Sequence, residues 1–346
     1  MKYLLPTLLA LMLSLSLRAE SANKPLPRSK PSAAAMESFE NYKAAVAQAG
    51  LDIHGIMVLQ HGKVILSNWW EGHSPEEKHI MMSVTKSFTS MAVGMLVEEG
   101  RLDIEAPVLS FFPDEAPENP SENMKLMKVK HLLTMTTGFD AGTGKEGRFV
   151  GRYLAMEPKY LPGTHFCYDS NASHMLSAIV QKITGEKMAD FLAPRLFEPL
   201  GIVAPKWSTS REGITHGGFG LEITTEDMAR FGLMLLHKGK FAGRQVVPAG
   251  WIQQATSWKC ESRPSGSNPE SLSASGITFE NSDWRRGYGY QFWLTSHNAY
   301  RATGAYAQFI IVLPEKDAVI VHTAHTKQTE KQSALDLIWQ HLYPIL

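Results

Sequence analysis

Cysteine is scarce. Cys167 and Cys260 are the only two in 346 residues, so the chain can form at most one disulfide and no cysteine-based metal cage. They lie far apart in unrelated contexts, and the sequence leaves their pairing open. The 13 histidines contain no His-Glu-x-x-His. The closest pair, His322 and His325, follows a strand-like run and reads as structural or surface, so neither a metal nor a cofactor is expected. No Gly-x-Ser-x-Gly occurs, which removes the nucleophile elbow of an α/β-hydrolase, and no histidine can be assigned as a base. Neither charge sign is in excess: Lys+Arg and Asp+Glu number 34 each, with no long basic run. Nucleic acid and anionic membrane surfaces are therefore poor candidate partners.

A long apolar run is also missing. Met1-Lys2 followed by the Leu-rich residues 4–17 gives a charged start and an apolar stretch too short for a comfortable membrane span. That pattern predicts a signal peptide over residues 1–19, export to the periplasm or medium, and no membrane span once it is removed. Residues 20–35, rich in Pro, Ser and Ala, read as a linker with little to bury.

What is present is enough apolar residue, 44%, to bury a large core. Alternation predicts strands over 54–60 and 63–70, joined as a hairpin at Gln60-His61-Gly62-Lys63, with a helix over 36–49 before them. Helical patterns follow over 129–135, 174–183, 188–197 and 226–238, the last capped by Thr224 or Thr225. Strand signals return over 288–293, 308–313 and 318–322, and a helix over 330–342 closes the chain. Strands at both ends with helices between imply an α/β (α+β) fold: one antiparallel sheet built from N- and C-terminal segments, flanked by helices, with an inserted helical lobe. The catalytic domain is read as 36–346, its sheet lobe about 36–105 plus 285–346 and its helical lobe about 106–284. Two stretches dense in Gly, Ser and Pro, 140–148 and 260–283, read as surface loops or as a lid.

The richest segment is residues 83–99, SVTKSFTSMAVGMLVEE. Its charges are Lys86 near the start and a Glu pair at the end, where Gly100 is a stop signal. A helix apolar or small all round is a buried helix. Residues three apart share a face, so Ser83 and Lys86 can meet at a buried first turn. Desolvation lowers an ammonium pKa and makes lysine a base for the neighbouring hydroxyl. The second Ser-x-x-Lys, Ser21 to Lys24, has no helical context and reads as a chance match.

Further motifs follow in order: Glu99-Gly-Arg-Leu-Asp103, Val129-Lys-His-Leu-Leu-Thr-Met-Thr-Thr-Gly-Phe139, Leu161-Pro-Gly-Thr-His-Phe-Cys-Tyr168, Gly217-Gly-Phe-Gly-Leu221 and Thr224-Thr-Glu-Asp-Met-Ala-Arg-Phe-Gly232. With Ser83-Val-Thr-Lys86, this run resembles the serine β-lactamase and penicillin-binding-protein-like superfamily, on the side of the class C enzymes and their esterase and nylon-oligomer-hydrolase relatives. The resemblance spans roughly residues 53–323. It implies catalytic roles for Ser83, Lys86 and Tyr168, oxyanion donors at the backbone amides of Ser83 and Ala305, and substrate contacts at Ser170, Thr303 and Gly304.

Two departures qualify what is implied. Tyr168-Asp-Ser170 places a hydroxyl where the family's Tyr-x-Asn has a carboxamide. Ala302-Thr303-Gly304 lacks the lysine of Lys-Thr-Gly, which in lactamases and peptidases meets the substrate carboxylate. The neighbouring Arg301 points to the opposite face of a strand. The expected function is an exported serine hydrolase cleaving a small-molecule ester or amide through a Ser83 acyl-enzyme. The alternatives are a β-lactamase or D-alanyl peptidase, and a catalytically silent module that binds cell-wall peptides. Trp69, Trp207, Trp284 and Trp293 are candidates for an acyl pocket without a firm assignment.

Overall fold

Residues 24–140, 149–264, 266–267, 269–327 and 330–346 are described by a computed structural model. The expected signal segment and nearly all of the glycine-rich stretch 140–148 lie outside them. Alternating apolar residues give the first hairpin, β1 (Ile53–Gln60) and β2 (Lys63–Trp69). His61 and Gly62 both take positive φ, 51° and 71°, the primed turn whose twist suits paired strands. The other strands are β3 (Lys78–Ile80), β4 (Lys206–Trp207), β5 (Leu221–Thr224), a short hairpin β6 (Lys240–Phe241) and β7 (Arg244–Gln245), β8 (Trp293–Leu294), β9 (Tyr300–Thr303), β10 (Phe309–Leu313) and β11 (Ala318–Ala324).

The main sheet has the order β2-β1-β11-β10-β9-β8, and its pairs are antiparallel. Met57 of β1 faces Val321 of β11, which joins the two ends of the chain in one sheet. Helix α1 (Ala33–Gln48) and the C-terminal helix cover one face with Phe39, Tyr42, Ile56, Ile320 and Leu335. The other face packs on the inserted lobe through Met57, Phe88, Phe231 and Val319. Helix α2 (Thr85–Glu98) precedes that lobe, which contains α3 (Val129–Leu133), α4 (Ser170–Thr184) and α5 (Thr225–Leu236). Residues 85–96 of α2 are all buried, so this helix is the axle between sheet and lobe.

Several boundaries differ from expectation. The linker read over 20–35 overlaps α1, which starts at Ala33 because Ser32 Oγ accepts from the Ala35 amide at 3.1 Å. Ahead of it, Leu26 is buried in the core and Val64 donates to the Pro27 carbonyl at 2.8 Å. This part of the presumed linker is therefore packed structure. Strand β9 was marked only by the Ala302-Thr303-Gly304 motif, because Tyr300-Arg-Ala-Thr303 is buried throughout and shows no alternation. The helical patterns over 188–197 and 330–342 hold at first and then widen into π turns at Ala193–Phe197 and Ile338–Leu342. Cys167 and Cys260 are both free thiols. Among the described residues no helix is long and apolar enough to cross a membrane.

Candidate active site

Ser83 sits on a 3-10 turn, Met82–Val84, that feeds directly into α2. Met82 takes φ 47°, a left-handed conformation costing a side chain about 1–3 kcal/mol. The turn is tied down on its far side, where Met81 donates to the Leu221 carbonyl at 2.8 Å. Ser83 is half-buried, and Lys86, one turn on, is 1% exposed. Lys86 Nζ lies 3.1 Å from Ser83 Oγ, 3.0 Å from Ser170 Oγ and 2.8 Å from the Gly218 carbonyl. Burial pushes this amine down to about 7, with the Asp169 carboxylate pulling the other way.

The geometry limits what a neutral amine does there. The amine has two N–H groups and one lone pair for three neighbours; the Gly218 carbonyl can only accept and takes one N–H, which leaves one N–H and the lone pair for the hydroxyls of Ser83 and Ser170. Ser170 is held in place by its neighbour: Asp169 caps α4, its Oδ1 accepting from the Asn171 amide at 2.8 Å. The hydroxyl of Ser170 thus takes a contact for which the motif usually supplies a carboxamide.

Tyr168 ends the loop before α4. Burial pushes its phenol up to about 12, against hydrogen bonds with Ser83 and Trp293. At neutral pH it is therefore a neutral phenol able to pass a proton, and the free base of the group is Lys86. The phenol hydrogen-bonds to Ser83, whereas Lys86 Nζ stands over the ring at 5.0 Å from its centre. Ser83 is the group that the two share.

Across the cleft, β9 ends in Thr303 and Gly304, and the chain turns at Ala305–Ala307. Ala305 is the first residue of its 3-10 turn and Ser83 the second of the other, positions whose N–H groups have no partner within the turn. Thr303 is buried and its Oγ1 makes no hydrogen bond. A Cβ on Gly304 would stand 2.5 Å from the Met81 carbonyl and 2.9 Å from Gln308 Cβ. Only glycine lets this strand end approach the Ser83 turn so closely. Gly304→Ala is accordingly expected to push the two turns apart, lowering stability by about 1–3 kcal/mol and kcat by more than any change in KM. Thermal unfolding and steady-state kinetics measure the two effects.

The sequence reading missed Gly218 and left Trp293 unassigned. A Cβ at Gly217 would meet the Ser173 carbonyl at 2.0 Å, and one at Gly218 the Ser170 carbonyl at 2.8 Å. The tandem glycines therefore bring a carbonyl within reach of Lys86; their adjacency was the available signal. Trp293 packs on Tyr168 with ring centres 5.3 Å apart and meets Trp284 edge-on at 4.9 Å. Trp207 and Trp69 lie elsewhere, the first against Phe197 and the second against Gly55. Arg301 is fully buried, donates to the Asp283 and Leu294 carbonyls and stacks on Trp284 at 4.6 Å. It braces the fold and leaves Ala302, also buried, at the lysine position. A separate cavity of about 690 Å³, lined in part by Leu26, Arg230 and Phe241, contains none of these residues.

The family model that matches is Beta-lactamase, over residues 41–343. A 6-aminohexanoate-dimer hydrolase of Paenarthrobacter ureafaciens is 28% identical over 77% of this chain and 70% of its own length. Two solved structures share the fold. A penicillin-binding protein homologue from Caulobacter crescentus has TM-score 0.70 at 15% identity, covering 92% of this chain and 99% of its own. EstCE1, a hydrolase with promiscuous acyltransferase activity, has TM-score 0.68 at 16% identity, covering 90% and 100%.

Proposed function

Because this chain belongs to the beta-lactamase family and is a serine hydrolase of that type, we propose that it cleaves a small linear ester or amide through an acyl-enzyme on Ser83. The observation that carries this reading is the buried Lys86 amine, 3.1 Å from Ser83 Oγ and pushed down to about 7. A base titrating near the working pH combines the required deprotonated fraction with useful driving force. Neutral Lys86 takes the Ser83 proton as the oxygen attacks the substrate carbonyl. The amides of Ser83 and Ala305 receive the developing oxyanion, each such donor being worth about 3 kcal/mol. Tyr168 hands a proton to the leaving group, and water then releases the acyl group by the reverse path.

The preference for an ester or linear amide rests on the missing cation. Ala302 stands where the family's lysine meets a carboxylate, and the nearby guanidinium of Arg301 is committed to Asp283 and Leu294. A relative's name, 6-aminohexanoate-dimer hydrolase, points in the same direction. Export through the segment over residues 1–19 remains part of the proposal, and fractionation of the native host would locate the protein.

The test compares a short-chain p-nitrophenyl ester with a chromogenic cephalosporin. Ester turnover should exceed cephalosporin turnover by about 10- to 150-fold, a hydrogen bond to a charged group being worth about 1.5–3 kcal/mol. Its kcat/KM should rise with pH through about 7, where Lys86 loses its proton. Preferred cephalosporin turnover would restore the lactamase reading; no turnover and no fluorophosphonate labelling would favour the silent binding module.

A further inference from the structure

Four of the 13 histidines converge on one spot near the start of β1 and the end of β11, to which β3 brings His79. His54 and His73 stack with ring centres 3.7 Å apart, and His79 and His325 lie 5.1 and 6.5 Å from His54. Asp52 and Glu77 complete the group. We propose that His54, His79 and Glu77 form a binding site for one divalent transition-metal ion of the zinc type.

Geometry supports this. The ligand atoms of the three residues lie within 4.8 Å of one another. His54 Nδ1 and His79 Nδ1 face each other at 3.2 Å. Two nitrogens bound at 2.0–2.1 Å to a tetrahedral zinc ion stand about 3.3 Å apart, so an ion fits between them with little ring movement. The outer groups are placed to orient the ligands: Asp52 Oδ1 lies 3.5 Å from His54 Nε2, and His73 Nδ1 is 2.7 Å from Glu77 Oε2. Carboxylates behind metal-bound imidazoles and partners behind metal-bound carboxylates are the usual arrangement.

A network of histidine hydrogen bonds leaves a polar atom of His79 over in either tautomer. His79 is 7% exposed, and its buried Nε2 has no hydrogen-bond partner. Its nearest oppositely charged atom is Glu77 Oε2, at 3.7 Å. If His79 donates from Nδ1 to His54, Nε2 is a lone pair without a donor. If it accepts there, Nε2 carries a proton without an acceptor. Each tautomer leaves one buried atom unsatisfied, at about 1–3 kcal/mol. An ion between the two Nδ1 atoms takes a lone pair from each ring in place of their mutual hydrogen bond, with the Glu77 carboxylate as the third ligand. No metal motif announced the site, because its ligands come from two strands and an intervening loop. The pair singled out in the sequence separates instead. His322 is buried with Nδ1 on the Ala307 carbonyl, and His325 stacks on Tyr306.

The full chain, stripped with a chelator, should take up one equivalent of Zn²⁺ in a competition titration and give visible Co²⁺ bands of low-coordinate N/O type. His54→Ala and His79→Ala should each weaken Zn²⁺ by about 100-fold or more, and Glu77→Gln by about 10-fold. Glu77 is partly exposed, so that variant keeps the test decisive should a histidine variant fail to fold. Absence of saturable uptake, or uptake undiminished in the folded variants, would overturn the proposal.

Discussion

Ser83→Ala is expected to lower kcat on the best ester by about 10⁴-fold or more, the scale seen when a nucleophile acting in a concerted unit is removed. Fluorophosphonate labelling should disappear with it. Stability should hardly move. Ser83 is half-buried, and after truncation Lys86 keeps Ser170 and Gly218 as partners, so the change should stay within about 1 kcal/mol. This pairing of a large kinetic loss with a small thermal shift separates a nucleophile from a helix cap. A cap serine replaced by alanine destabilises by about 0.5–2 kcal/mol without abolishing chemistry. Here neither the 3-10 turn nor α2 has a side-chain cap hydrogen bond at its start, so capping gives Ser83 no structural task. Turnover and labelling that both survive the substitution would remove Ser83 from the mechanism.

The same turn shows what could be read from residue order alone. The all-round apolar character of 85–96 correctly signalled a buried helix, and a spacing of three brought Ser83 to Lys86. The sequence could not reveal that Ser83 lies before the α-helix, on a turn with Met82 at φ 47°. Local preference opposes that conformation in methionine, and contacts with β5 and Gly304 impose it. The paired ends of the chain were legible because β1, β2 and β11 carry strong apolar runs. Strand β9, which brings Thr303 and Gly304 to the cleft, gave no periodic signal because both its faces are buried; only the resemblance of Ala302-Thr303-Gly304 to a strand motif marked it. Gly218 was quoted in a motif yet given no task, since a backbone carbonyl contributes through position alone. The histidine cluster is the extreme case: its three proposed ligands lie within 26 residues of sequence, at spacings no single helix or strand would align.

Lys86→Met should separate activity from stability in the opposite sense to most core changes. Turnover should fall by about 10³-fold or more, since the general base is gone and Tyr168, at about 12, is too weakly acidic to replace it. Stability should nevertheless rise at neutral and lower pH. The Lys86 pKa falls from 10.5 to about 7 on folding, so between those values the unfolded chain holds a proton that the native protein has released. Wild-type stability therefore climbs with pH through that window, by an amount on the order of 4–5 kcal/mol for this group. The methionine variant lacks this climb. Its advantage in Tm should be largest below about pH 7 and close as pH approaches 10.5, where the neutral amine keeps its hydrogen bonds to Ser170 and Gly218 and methionine makes none. Lost contacts reduce the gain to a few kcal/mol at most. Unfolding followed at several pH values would show it. A variant less stable than wild type at every pH would mean that the amine carries its charge comfortably in the folded protein, and a general base of pKa about 7 could no longer be assigned to Lys86.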